Sequence, residues 1–175
     1  MVKSSSPAKK LALAALLAAA AIIVHTVEAL LPPLIPGVPV RLGLANVFTL
    51  ITLMLLGGPY ALAVAVIRCL VSVLITGAVS QLPYSLTGAL LSFLAMLSLE
   101  PLRRKDRVSA VGESVFGSFM FNVGQLAVGI LIIGRAMFYY FPVMSLLSVP
   151  TGIFTGLIAH YIGKRIGDSP YVNKP

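Results

Sequence analysis

The chain has 175 residues, of which 58% are hydrophobic and only 10% charged, against about 25% charged in soluble domains. Too little polar surface remains to coat a water-facing globule, and at ~20 residues per membrane span six helices consume most of the length, which excludes a separate soluble domain. The net charge of +8 is a balance that phosphate-binding proteins share, but the basic residues cluster in two tails and one internal loop without interleaved aromatics, a pattern of membrane topology and not of nucleic-acid binding.

Apolar runs predict helices at roughly 11–31, 43–57, 60–79, 84–100, 109–134 and 138–163. The expected fold is therefore an all-α bundle of six transmembrane helices. It forms one domain over residues 11–165, between a basic tail (1–10) and a second tail (166–175). The first run follows Lys3, Lys9 and Lys10, as a secretory signal would, but it exceeds the 7–15 residues of a signal core and reads as a retained helix. It carries two overlapping small-residue pairs, Ala14 with Ala18 and Ala15 with Ala19, which suit close helix packing. Farther along, His25 and Glu28 share a face. Either Glu28 reaches interface water while His25 packs, or both belong to a binding site.

Pro32, Pro33, Pro36 and Pro39 end the first run. The stiff segment from Leu34 to Asn46 holds Arg41 and runs into the next helix, as a lid or ligand-contacting loop would. The second run is short for a crossing and ends at Gly57-Gly58-Pro59. In the third, Arg68 costs ~2.5–3.5 kcal/mol at a helix centre. Glu28, backbone carbonyls or an anionic ligand could compensate it, or it could snorkel or pair simply to fix the bundle. Cys69, the single cysteine, permits neither a disulfide nor a thiolate metal site and reads as a small packing residue.

Along the fifth run, Ser114, Ser118, Asn122 and Gln125 form one polar stripe. It is either an interhelical hydrogen-bond seam or the polar wall of a ligand cavity, and the amides of Asn122 and Gln125 offer the donors and acceptors a ligand needs. Phe138, Tyr139, Tyr140 and Phe141 mark an interfacial aromatic belt in which Tyr139 and Tyr140 are also candidate ligand contacts. The last run places Gly152, Gly156, Ala159 and Gly163 on one packing face. His160 sits far from His25 along the bundle, so no metal site is expected. With the N-terminus cytoplasmic, Lys3, Lys9, Lys10, Arg103, Arg104, Lys105, Arg107, Lys164, Arg165 and Lys174 fall inside, and only Arg41 and Arg135 fall in outside loops. This is a positive-inside pattern that predicts a multi-pass protein of the cell membrane with both termini cytoplasmic.

The segments Pro36-Gly37-Val38 to Arg41-Leu42-Gly43-Leu44-Ala45-Asn46, Ser85 to Ser92, Asn122-Val123-Gly124-Gln125, Tyr139 to Pro142 and Gly152 to Gly156 resemble a small bacterial family, heptaprenyl diphosphate synthase component I, also called Gx transporters. Pro39 and Phe121 depart from the family pattern, a histidine being usual before the Asn-Val-Gly-Gln run. That family looks like the six-helix S-components of energy-coupling-factor (ECF) transporters. The resemblance implies capture of a small molecule near the outer face, with Ala14 and Ala18, or Ala15 and Ala19, docking a coupling subunit that works with ATPases. No phosphate-cradling Gly-x-x-x-x-Gly-Lys-Ser/Thr motif occurs, so ATP coupling would come from partners.

The expected function is an integral membrane substrate-binding or transport protein, using His25, Glu28, Arg41, Asn46, Arg68, Asn122, Gln125, Tyr139 and Tyr140. The alternative follows the family name, a non-catalytic membrane subunit linked to prenyl diphosphate or quinone metabolism. Prenyl transfer needs clustered carboxylates for magnesium, whereas Glu28, Glu100, Asp106, Glu113 and Asp168 are scattered. No catalytic residue and no cofactor is expected, and no haem or flavin pattern supports a redox scaffold.

Overall fold

Apolar segments in lipid must satisfy their own backbone groups, so they become helices. A computed structural model describes residues 6–31 and 41–167. The tails 1–5 and 168–175 and the Pro-rich stretch 32–40, on which part of the lid expectation rests, lie outside them. Among the described residues six α-helices appear: α1 (Pro7–Leu30), α2 (Asn46–Leu56), α3 (Gly58–Thr76), α4 (Leu82–Arg103), α5 (Ala110–Ile133) and α6 (Phe141–Gly167). Local chemistry sets their ends. Ser6 accepts a hydrogen bond from the Lys9 amide just before Pro7, and the Ser109 hydroxyl accepts one from the Gly112 amide at 3.0 Å. Gly77 at φ +68° and Gly134 at φ +103° close α3 and α5.

Five helices are long and apolar enough to cross a membrane, and α2 is not. Its eleven residues rise about 16 Å, half of a ~30 Å hydrocarbon core. The expected second span therefore begins three residues late, at Asn46 instead of residue 43, because residues 41–45 are buried or half-buried without being helical. Large apolar side chains such as Leu74 and Leu131, 82% and 85% exposed, cover the outer surface of the bundle, as lipid contact requires.

Packing follows the small residues. α5 lies between α4 and α6, while α1 packs on α3 and α2. A Cβ on Gly152 would collide with Val115 Cα, one on Gly156 would stand 2.7 Å from Val111 Cα, and one on Gly124 2.8 Å from Gly88 Cα. The helix backbones thus touch directly, the arrangement that small residues permit where no hydrophobic force draws helices together. Leu17, Leu53, Phe93, Met96 and Ala159 join α1, α2, α4 and α6 in the largest apolar cluster.

At the end of the bundle holding the α4–α5 turn, Glu100 pairs with Arg103 and Arg104, and Arg103 Nε lies 2.7 Å from the buried Glu113 carboxylate. Two acids and two bases there neutralise one another. This is the basic end of the molecule, where α1 also begins with Lys9 and Lys10 and α6 finishes with Lys164 and Arg165.

Gly152→Ala should cost about 1–3 kcal/mol by forcing α5 and α6 apart. Gly163→Ala, whose new Cβ would meet only the flexible end of Met54 at 3.3 Å, should cost well under that. Thermal denaturation of the two variants in detergent checks the difference.

Candidate functional site

Arg41 to Ala45 form a short non-helical segment level with the middle of α3, where Arg68 stands. Such backbone survives at membrane depth only if protein surrounds it and pairs its polar groups. Two side chains do this. Gln125 of α5 brackets Arg41, its Oε1 accepting from the Arg41 amide at 2.8 Å and its Nε2 donating to the Arg41 carbonyl at 3.0 Å. Glu28 of α1 accepts from the Gly43 amide at 2.6 Å and the Leu44 amide at 3.2 Å, one with each carboxylate oxygen. The carbonyls of Gly43, Leu44 and Ala45 then accept from the first amides of α2.

Gly43 is required at this bend. Its φ is +78°, and a Cβ there would meet Asn46 Nδ2 at 2.8 Å and the Phe121 ring at 2.9 Å. Phe121 is fully buried, and the same ring comes within 2.9 Å of where a Cβ on Gly88 would stand. It is thus wedged between α4 and the segment. Phe121 stood out in the sequence only as a departure from a family pattern; the signal for its packing role was the pair of glycines, Gly43 and Gly88, that make room for it.

Above this scaffold sits a cationic cluster. His25 lies between two guanidinium groups, with Arg41 Nη1 at 2.7 Å from Nε2 and Arg68 Nη1 at 3.4 Å from Nδ1. Arg68 Nη2 donates to Asn46 Oδ1 at 2.5 Å. Arg68 is 0% and His25 1% exposed. Arg68 therefore neither snorkels nor pairs with Glu28, whose carboxylate is occupied by backbone amides. Among the described residues, no carboxylate lies within ion-pair distance of Arg41 or Arg68, and Arg68 Nε and Asn46 Nδ2 have no hydrogen-bond partner.

The other candidates divide. Asn122 donates to the Met144 carbonyl at 2.7 Å, and Ser114 shares a hydrogen bond with Thr155. Those two positions of the polar stripe form a seam to α6, whereas Gln125 serves the segment. Tyr139 is not in the cluster. Together with Ile130, Arg135, Ala136 and Phe138 it lines a groove of about 510 Å³ at the end opposite the basic one, and Tyr140 is exposed beside it. Ala14 and Ala18 are buried within the bundle, while Ala15 and Ala19 face outward. Cys69 is buried and packs with Ala65, Ala89 and Phe121.

A family model described as heptaprenyl diphosphate synthase component I matches residues 17–162, which bears out the family resemblance. No curated protein and no solved structure matches the chain.

Gln125→Leu should leave the amide and carbonyl of Arg41 buried without partners. At ~1–3 kcal/mol for each such group, a loss of about 2–6 kcal/mol is expected in reversible unfolding, and a loss below ~1 kcal/mol would show that Gln125 does not hold the segment.

Proposed function

Because the chain belongs to the heptaprenyl diphosphate synthase component I family, whose match covers nearly all of the helical bundle, we propose that it is an integral membrane substrate-binding protein that captures a small molecule at the outer face for uptake. The supporting observation is the non-helical segment Arg41–Ala45, held at mid-depth beside buried polar side chains. In membrane transporters, interrupted helices at this depth line substrate sites, because irregular backbone frees polar groups for a ligand. The buried set of His25, Arg41, Asn46 and Arg68 supplies those groups, and the groove at Tyr139 and Arg135 lies at the same end of the bundle.

The positive-inside rule puts the basic end, and with it both termini, in the cytoplasm of a bacterial cell membrane. The cluster then belongs to the outer half. The protein is not an enzyme on this proposal. Glu28, Glu100 and Glu113 are engaged with backbone amides or arginines, so among the described residues only Asp106 is left, and no carboxylate pair to hold magnesium on a diphosphate. Energy would come from an ECF-type coupling subunit with its ATPases. Of the two alanine pairs, Ala15 and Ala19 present the outward face such a partner could dock on, since Ala14 and Ala18 are used inside the bundle.

The second proposal, a non-catalytic membrane subunit in prenyl diphosphate or quinone metabolism, rests on the family name alone. Native mass spectrometry and thermal-shift screening of the purified chain against vitamins, flavins, quinone precursors and prenyl diphosphates separate the two. Uptake predicts stoichiometric binding of a water-soluble compound that weakens at least tenfold in Arg68→Leu. Tight retention of a prenyl lipid, with no soluble compound bound, would favour the second.

A further inference from the structure

The charge balance of the cluster is incomplete. Arg41 and Arg68 contribute two positive charges, Glu28 contributes one negative charge, and all three are buried. The chain offers, among its described residues, no further carboxylate to meet the deficit. It has five acids. Glu100 and Glu113 are paired at the basic end, Asp106 lies in the turn beside them, and Asp168 lies outside the described residues. The stretch 32–40 contains no acidic residue. An uncompensated charge at membrane depth is costly.

Hydrogen bonding points the same way. A neutral imidazole has one acceptor nitrogen, and the closer contact assigns it to Nε2 facing Arg41. Nδ1–H then faces the Nη1 donor of Arg68, so donor meets donor. Arg68 Nε and Asn46 Nδ2 lack partners among the described residues and are enclosed. Around Arg68, three donors thus lack an acceptor among the described residues, beside one surplus positive charge.

We propose that this cluster is a binding site for a single oxyanion, a carboxylate or a phosphate group, held by Arg68, Asn46 and His25 with Arg41 behind the imidazole. The proposal rests on the capture of a small molecule proposed above and names the chemical class of that molecule. One oxyanion supplies the missing charge and the missing acceptors together. Because Arg68 is fully enclosed, entry of the anion requires the side chains around it to open. Lys or Arg chemistry alone would not specify the site; the flat guanidinium edge of Arg68 suits two oxygens of the same anion.

Asn46→Asp provides a direct test. The substitution is isosteric, keeps the acceptor for Arg68 Nη2 and replaces the unpartnered amide nitrogen by the missing negative charge. Full-length protein in zwitterionic nanodiscs, in a sulfonate buffer, would be melted with inorganic phosphate or with acetate, and separately in nanodiscs containing phosphatidic acid. Wild type should gain several degrees in at least one arm. Response to phosphate or acetate identifies a water-soluble ligand, and response to phosphatidic acid alone identifies a lipid headgroup. Asn46→Asp should melt at or above the wild-type temperature without added anion and lose the response. Should it fail to fold, Arg68→Gln must lose the response instead. A wild type indifferent to all three anions, or a folded variant of either kind that keeps the full response, overturns the oxyanion site. In that event, stabilisation by an uncharged soluble compound would leave the capture proposal standing, while indifference to uncharged compounds as well would remove both.

Discussion

Five residues of non-helical backbone, Arg41 to Ala45, sit where a membrane protein has no water to satisfy them, and the surrounding structure is arranged to meet that need. Glu28 must lie three residues from His25 on α1 so that its carboxylate reaches two amides while the imidazole reaches the arginines. Gln125 must stand one turn beyond Phe121 on α5 so that its amide brackets Arg41 while the ring fills the space left by Gly43. The shortness of α2 follows from this bend. A helix running unbroken through this segment would commit the Gly43 and Leu44 amides to its own ladder and leave Glu28 none to bind.

The two ends of the bundle handle charge differently. At the basic end, Glu100 and Glu113 balance Arg103 and Arg104, an ion-pair network that ties the end of α4 to the start of α5. At the cluster, a carboxylate is present but is turned toward the backbone, and two guanidinium groups share a histidine, one of them also donating to an asparagine. Neutrality is local in the first case and incomplete in the second. This contrast separates the cluster from the structural junction at the basic end.

Much of this was legible in the sequence, and the remainder has physical causes. Apolar runs bounded by Pro and Gly marked the helices to within a few residues, because lipid leaves the backbone no alternative. His25, Glu28, Arg68 and Gln125 could be singled out as polar residues that the membrane makes expensive. Their partners could not, because spacing on one helix says nothing about which residue faces it from another: Glu28 could be read as a mate for Arg68, but the structure gives it to Gly43 and Leu44. Apolarity likewise cannot separate a buried bend from a helix, so residue 43 looked like a helix start. Ala14 and Ala15 carry identical chemistry, and only the positions of α2 and α3 decide which pair is internal. Tyr139 was grouped with the cluster through its end of the bundle, yet it lines a separate groove beside Arg135.

Amide hydrogen exchange at Arg41, Gly43 and Leu44 in lipid nanodiscs tests most directly whether Glu28 and Gln125 pin this segment at membrane depth. Exchange as slow as that of the helical amides around Arg68 in α3, becoming fast at Gly43 and Leu44 in Glu28→Ala, is the predicted result. Exchange at all three amides as fast as in an unbonded loop, with no change in that variant, would contradict it.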